Sequence, residues 1–355
     1  MRSRRLVAVL SVSVLVTTTL AGCYTLQAVR GQLEILGARR PIAAVRADPT
    51  TDARTVALLA IATEARDLAR RELGLARSGS YAGYAALPRE WPVWSVVVAP
   101  EFDVEPRRQC FVFIGCLAYR GFFAERDALA WAARARARGD DAFVAPVPAY
   151  STLGWFDDPV LWSMLRWDEA TLAGFVAHEL AHEALYTGDD TAFDEAFAEV
   201  VGAELVQRMF AAPERGVLLS RWSERRRFDA ARDELLQTAR ADLARLYAGR
   251  GPAPETRAAK QVRLGRLRDD LAALATTHGR TELVAGWRAQ AWDNARLVLT
   301  ATYSELVPAF EALLEAEGGD LARFRARATV LARSRPDARR AALAEVQRAR
   351  RAREP

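Results

Sequence analysis

The spacing of apolar residues divides the chain into a first part that combines helices and strands and a second part that is helical. Residues 31–74 place apolar side chains such as Val56, Leu59 and Ala62 at helical spacing. Beyond them, runs of β-branched and aromatic residues predict short strands around one amphipathic helix. The predicted strands cover residues 93–99, 116–123 and 142–147, and the predicted helix covers residues 125–138.

From residue 168 onward the apolar positions follow helical periodicity almost without interruption. One stripe runs from Leu218 to Leu246, and Pro252 and Pro254 end it before helices resume. The pattern therefore predicts an α+β fold that is mostly helical, with a small β-sheet and a C-terminal half made of long helices.

The sequence contains no low-complexity linker and no internal repeat, which favours a single folded unit. We expect residues 1–22 to be a removable leader and residues 23–355 to form the unit. Within it we expect N-terminal helices at 23–85, a small β-rich part at 86–150, the helices with the candidate chemistry at 151–212, and a helical C-terminal part at 213–355.

The first 23 residues have the features of a bacterial lipoprotein signal peptide. Three arginines precede an apolar stretch, residues 6–20, that is short for a bilayer-spanning helix. Leu20, Ala21 and Gly22 stand directly before Cys23, so Cys23 is the expected site of lipidation. Tyr24, in place of an aspartate, favours the outer membrane facing the periplasm. The alternative is an ordinary secretory signal with an incidental cysteine.

The charge of the chain gives no reason to expect a nucleic-acid partner. The formal net charge is +5, and loss of residues 1–22, which hold three arginines and no acids, lowers it to +2. A nearly neutral exported protein is not expected to bind nucleic acid. The arginine-rich segment 333–353 is predicted to be a solvated helix, with a membrane-surface or partner-binding role as the alternative.

The clearest chemical signature is the HExxH motif His178-Glu179-Leu180-Ala181-His182, which lies in a predicted helix. Side chains four residues apart share one helical face, so both imidazoles can bind one metal ion. The ion would lower the pKa of a bound water from about 15.7 towards about 7, and Glu179 would accept the proton. Only three histidines occur in the chain, which argues against a chance pairing. We expect one Zn²⁺ per chain.

The third metal ligand must be a carboxylate. The metzincin pattern requires glycine and histidine at positions where this chain has Leu185 and Gly188, which excludes that class. The remaining histidine, His278, lies at an apparent helix end and is typical of an exposed residue.

Two glutamates downstream of the motif are the candidates. Residues 187–190 have the composition of a turn, and helical periodicity resumes after it, so a second helix folds back. Glu195 would then lie near the metal as third ligand. Glu199, one turn later, would orient a metal-binding histidine through its other ring nitrogen. The alternative is that both carboxylates face solvent.

At this point the chain resembles a known family. Gluzincin peptidases, the group of thermolysin and zinc aminopeptidases, have an HExxH motif paired with a second motif downstream. This chain has a similar pair, HELAH and the Asp-Glu-Ala-Phe-Ala-Glu of residues 194–199, with fewer residues between the two motifs. With segments 23–33, 115–123 and 149–159, it looks most like bacterial lipoproteins classed as zinc aminopeptidases. The resemblance implies a gluzincin-like fold, with the small sheet beside the HExxH helix, and aminopeptidase activity.

The same resemblance implies how a peptide substrate is held. Gluzincins generally add an extended peptide to the edge of a sheet beside the metal. The predicted strand 116–123 is the candidate edge, and an ordinary core strand is the alternative.

Two tyrosines compete for the role of stabilising the oxyanion, because no third active-site histidine is available. Tyr303 lies in a segment that matches the family, and Tyr186 lies one turn beyond His182. For each the alternative is a half-buried packing residue.

Cys110 and Cys116 form a predicted disulfide. The oxidising periplasm permits it, and the apolar run between them can form a strand and turn that bring them together. Buried free thiols are the alternative.

Together these features predict a lipid-anchored, zinc-dependent peptidase whose general base is Glu179 and whose partners are a peptide substrate and the membrane. A second class is a non-catalytic, zinc-stabilised envelope lipoprotein that acts as a scaffold or binding module. A structural zinc site needs four protein ligands and no base, whereas this chain offers three ligands and a spare carboxylate.

Overall fold

The computed structural model describes residues 24–76, 78–111, 115–152, 156–249, 251–301 and 306–352. Cys23 and Tyr303, with their expected lipidation and oxyanion roles, lie outside these residues. Within the described ranges the chain is mostly helical with short strands, which confirms the predicted α+β class. No helix among the described residues is both long and apolar enough to cross a bilayer.

The elements follow one another in a clear order. The helices are α1 (residues 24–37), α2 (Ile42–Ala47), α3 (Ala53–Leu73), α4 (Glu125–Arg136), α5 (Glu169–Ala184), α6 (Thr191–Met209), α7 (Gly216–Ala248), α8 (Ala253–Thr277), α9 (Thr281–Ala289), α10 (Asn294–Ala301), α11 (Val307–Ala316), α12 (Leu321–Ala332) and α13 (Pro336–Arg351). The strands are β1 (Arg39–Pro41), β2 (Gly83–Ala85), β3 (Val93–Pro100), β4 (Gln109–Phe111), β5 (Gly115–Leu117), β6 (Tyr119–Phe122), β7 (Asp140–Val147) and β8 (Val160–Leu161).

The strands of the described residues form two sheets and a hairpin, where the sequence predicted one small sheet. One sheet has the order β1-β2-β8, with β2 and β8 parallel; the other has the order β6-β3-β7 and is antiparallel. The predicted strand 116–123 is wrong as a single element. Its first part pairs with β4, and its second part, β6, is the edge strand beside β3.

Residues 31–74, which were predicted to be helical, are divided among the helices α1, α2 and α3, with the short strand β1 between α1 and α2. Pro41 ends β1 directly before α2, and its missing backbone N–H and fixed φ prevent a helix from running through this point. The break before α8 is where the sequence places it, since Pro252 is the N-cap of that helix.

The largest core lies around α5 and α6. Their apolar faces pack with α3 and with the C-terminal helices α11 and α12. Phe197 stacks on Phe324 with ring centroids 5.4 Å apart, and Phe193 meets Phe310 edge to face at 4.9 Å. Because α6 carries both phenylalanines on one face, the opposite face is held towards α5.

The β4–β5 hairpin places Cys110 directly opposite Cys116 in the antiparallel register. Cys110 is disulfide-bonded. The register suits a bridge between the two residues, and their pairing stays a prediction, because residues 112–114 between the strands lie outside the described ranges.

Candidate metal centre

Helix α5 carries the HExxH motif, and its N-terminus is held in place by a capping carboxylate. Its N-cap is Asp168, which accepts a hydrogen bond from the Thr171 backbone N–H at 2.8 Å. The carboxylate also pairs with Arg225 of α7. The helix ends at Ala184, two residues beyond His182, so the motif occupies its last two turns.

The turn between α5 and α6 is held by a buried carboxylate. Asp194, 1% exposed, accepts hydrogen bonds from the backbone N–H of Thr187 (2.8 Å) and of Gly188 (3.2 Å) and from the Thr187 hydroxyl (3.0 Å). Gly188 has a φ of +73°, a conformation that favours glycine. The next residue after Asp194 is Glu195, so this turn brings that carboxylate back to the histidines.

Gly202 permits the close approach of α6 to α5. A Cβ on this residue would lie 2.9 Å from the Gly174 carbonyl oxygen and 3.4 Å from the Cβ of His178. Backbone atoms cannot rotate away from such a contact, so any larger side chain must separate the helices. The separation would move Glu195 away from His178.

We expect Gly202→Ala to destabilise the fold by about 1–3 kcal/mol, the usual range for overpacking, and to weaken zinc binding. Gly265→Ala on α8 is the matched control, because nothing lies within 4 Å of a Cβ there; it should stabilise by up to about 1 kcal/mol through helix propensity. Chemical denaturation and zinc titration of both variants provide the measurement. Equal stability of the two would contradict the close approach.

His178, His182 and Glu195 converge on one point. The two Nε2 atoms lie 3.2 Å apart, and Glu195 oxygens lie 3.3 Å from Nε2 of His178 and 3.8 Å from Nε2 of His182. They form a group within the described residues that could hold a metal ion. The side chains are 18%, 5% and 23% exposed, so the centre is mostly buried, and His178 and Glu195 keep partial contact with solvent.

These distances fit a tetrahedral zinc site. Ligand atoms about 2.0–2.1 Å from one ion in tetrahedral geometry lie about 3.4 Å from one another. The donor set of two imidazoles and one carboxylate is that of catalytic zinc sites, which leave the fourth position open. The residues present therefore fit Zn²⁺.

The electrostatics of the centre also favour a cation. Burial of His178 opposes its protonation, but Glu195, Glu179 and Glu199 outweigh this and raise its pKa to about 9. For Glu195 burial acts to raise the pKa, but contacts with His178 and His182 lower it to about 2. The carboxylates around His178 therefore favour a positive charge at the point where His178, His182 and Glu195 meet.

Glu199 lies beside His178, and its predicted role in orienting that ring stays a prediction. One carboxylate oxygen is 3.8 Å from Nδ1 of His178, and the other contacts the guanidinium of Arg226 on α7. The Arg226 guanidinium lies over the Trp222 ring, 5.1 Å from its centroid. Sequence reasoning missed Arg226, because nothing in the run of three arginines at 225–227 distinguishes the one that faces the centre.

Glu179 lies in a buried polar pocket that sequence reasoning also missed. Burial raises its pKa, and the positive charges of His178 and His182 oppose the shift. Ser151 is close enough to lower the pKa of both Glu179 and Tyr81. Asp158 contributes a further carboxylate, whose pKa burial raises to about 6.

Tyr81 is an unusual member of this pocket. It is 2% exposed, and it is the one non-glycine residue among those described with a positive φ, +59°. Its hydroxyl makes no hydrogen bond of normal geometry within the described residues. Burial, then the charges of Glu179 and Asp158, raise its pKa. Strained backbone of this kind is concentrated at functional sites. Tyr81 and Glu179 are about a hundred positions apart in the sequence, so their proximity could not be predicted before the fold was known.

Besides Tyr81, two further tyrosines lie near the centre within the described residues. The Tyr186 ring meets the His182 ring edge to face at 6.0 Å and is 46% exposed. Tyr119, on the edge strand β6, was missed; burial, then the charge of Glu195, raises its pKa to about 12. His278, which was not expected to bind metal, is the exposed C-cap of α8.

Comparison with known proteins gives one match. The model of the family described as "Putative aminopeptidase" matches residues 23–343. No curated protein and no solved structure matches the chain. The family match covers most of the sequence, including the HExxH helix, the helix with Glu195 and both sheets. The chain therefore belongs to the Putative aminopeptidase family.

Proposed function

We propose that this protein is a zinc-dependent aminopeptidase with a gluzincin-type centre. The observation that carries the proposal is the convergence of His178, His182 and Glu195 at distances of 3.2–3.8 Å, with Glu179 next to it. The family membership supports peptidase activity, and the three-ligand donor set supports a catalytic ion over a structural one.

Bound Zn²⁺ would supply an acidified water and a polarised substrate carbonyl. Glu179 would accept the proton of the attacking water and pass it to the leaving amine as the peptide C–N bond breaks. Ser151, which is close enough to donate a hydrogen bond to Glu179, would hold this carboxylate in place. Glu199, fixed by Arg226, would keep the His178 ring oriented towards the ion.

Tyr303 stays the proposed oxyanion donor, in competition with Tyr186. The contact of Tyr186 with His182 places it close enough to compete, and the electrostatic coupling of Tyr119 with Glu195 adds a third tyrosine. β6 is the proposed docking edge for the peptide main chain, since it is the outer strand of its sheet.

The proposed location is the outer membrane, facing the periplasm, with the chain anchored through acylated Cys23. The small residues before Cys23 and the leader-like residues 1–22 support this.

Pairs of peptides that differ only in a free or acetylated N-terminus test the proposed reaction. The purified protein should release N-terminal residues from the free peptides, lose activity with a chelator and regain it with Zn²⁺. Cleavage of both members of a pair would indicate an endopeptidase. One bound zinc with no cleavage of any peptide in a diverse library would favour the non-catalytic scaffold.

A further inference from the structure

The first helix of the described chain exposes a stripe of large apolar side chains. Leu26, Val29 and Leu33 of α1 are 69%, 50% and 62% exposed. With about 100° of rotation per residue, the three fall within an arc of about 60° on the helix. We call them the α1 stripe.

The opposite face of α1 is firmly attached to the protein. Ile35 is buried in the main core, and a Cβ on Gly31 would overlap the Phe123 ring. Gln27 accepts a hydrogen bond from the Phe123 backbone N–H at 3.1 Å, and Gln32 accepts one from the Tyr150 hydroxyl at 2.5 Å. The α1 stripe therefore points outward from a helix that is held in place, and is not exposed by fraying.

The start of α1 is fixed as well. The Tyr24 hydroxyl donates to the Gly121 carbonyl oxygen at 3.1 Å, and its ring meets Phe122 edge to face at 5.7 Å. The Arg120 guanidinium lies over the Tyr24 ring, 3.7 Å from its centroid. Tyr24 follows Cys23 directly, so acyl chains on Cys23 would emerge one residue from an ordered helix, without a flexible linker.

We propose that the α1 stripe lies in the membrane surface beside the lipid anchor, so that the protein is held flat on the bilayer. The inference rests on the proposed acylation of Cys23. Leu26 lies three residues from that cysteine, and apolar side chains next to inserted acyl chains gain free energy by entering the same boundary.

The charges around the α1 stripe suit a bilayer that contains anionic lipid. Arg30, Arg39 and Arg40 are exposed on or just after α1; Arg39 also donates to the Asp157 carbonyl oxygen at 2.7 Å, and Arg40 pairs with Asp48 at 3.1 Å. The one acidic residue of α1, Glu34, is paired with Arg89 at 2.6 Å. Basic side chains flanking an apolar face are typical of helices that lie in the interface.

This docking would fix the orientation of the active-site cleft. α1 contacts β6 through Tyr24 and the loop before Ser151 through Tyr150. Both segments adjoin the metal centre. These contacts would therefore fix the angle between the cleft and the plane of the membrane. Substrates would be drawn from peptides close to the bilayer.

A fluorescent label at Val29→Cys tests the proposal. The full chain is expressed in the envelope, acylation is measured by mass spectrometry, and the protein is labelled with bimane. It is then reconstituted into vesicles of phosphatidylethanolamine and phosphatidylglycerol. Some of the lipids carry a nitroxide near the glycerol end of the acyl chain, which is the depth at which an interfacial helix lies. The nitroxide quenches a nearby bimane, so the emission of the label at residue 29 should fall at least about twofold.

Val262→Cys on α8 and Val330→Cys on α12 are matched controls, because they are valines with 57% and 55% exposure. Their labels should keep their emission, and the native chain treated in the same way measures background labelling. An acylated protein whose label at residue 29 is not quenched would overturn the docking of the α1 stripe alone. A protein without acyl chains would overturn the anchor, and the docking with it. The label could instead be shielded from both the lipid nitroxide and aqueous iodide, and become accessible when the protein is diluted in the bilayer. That result would show that a second copy of the chain covers the α1 stripe, and it would also overturn the proposal.

Discussion

Replacement of Glu179 by Gln is expected to leave about one zinc ion per chain and to lower peptidase activity by at least about 10²-fold. The amide has the size and shape of the carboxylate, so the pocket around Ser151 and Tyr81 should keep its packing. It cannot accept a proton from water. Zinc should remain because the proposed ligands are His178, His182 and Glu195, whose geometry does not involve the Glu179 side chain.

Glu169→Gln is the matched control for this prediction. Glu169 begins the same helix, nine residues before His178, which corresponds to about 14 Å along the axis. The change removes the same charge from α5 and should alter activity by less than about threefold. Mass spectrometry for bound metal and a peptide-release assay give both quantities. Full activity of Glu179→Gln would exclude the proposed reaction, whatever its zinc content.

The convergence of the three candidate ligands was predictable because its determinants are local. Helical spacing places His178 and His182 on one face, and the turn composition of residues 187–190 places Glu195 opposite them. The position of Glu199 beside His178 followed from the same periodicity, since it lies one helical turn after Glu195. Each of these inferences needs only two adjacent helices.

The surroundings of Glu179 were not predictable, because they depend on contacts between distant parts of the chain. Tyr81 and Ser151 reach the pocket from loops that precede α5 by many residues, and Arg226 comes from the third helix of the group. None of these residue types is unusual in its local sequence. The strained φ of Tyr81 is visible only once the backbone is folded.

The strands show the same limit in another form. The composition of residues 116–123 correctly indicated extended chain, but composition does not specify a pairing partner. The break at Ala118 assigns one part to β4 and the other to β3. That division makes β6 an edge strand and brings Tyr119 towards Glu195, so it decides what lies beside the three candidate ligands.

Loss of the Glu195 carboxylate is expected to remove zinc itself. Glu195→Ala deletes one of the three proposed ligands, and the two imidazoles, with Nε2 atoms 3.2 Å apart, would have to hold the ion alone. We expect zinc affinity to fall by more than the roughly 10- to 100-fold that is typical when a group supporting a ligand is removed. Activity should fall with it and should recover partly at high added zinc.

Substitution of two other glutamates of α6 tests which carboxylate is the third ligand. Glu199→Ala should show the milder loss, roughly 10- to 100-fold in zinc affinity or activity, because Glu199 contacts His178 and not the ion. Glu204→Ala should keep zinc, since Glu204 pairs with Arg208 at 2.8 Å. Competition for zinc against a chelator of known affinity measures all three variants at equal protein concentration. Full zinc in Glu195→Ala, with loss in Glu199→Ala or Glu204→Ala, would move the third ligand to the other carboxylate and leave the two histidines unchanged.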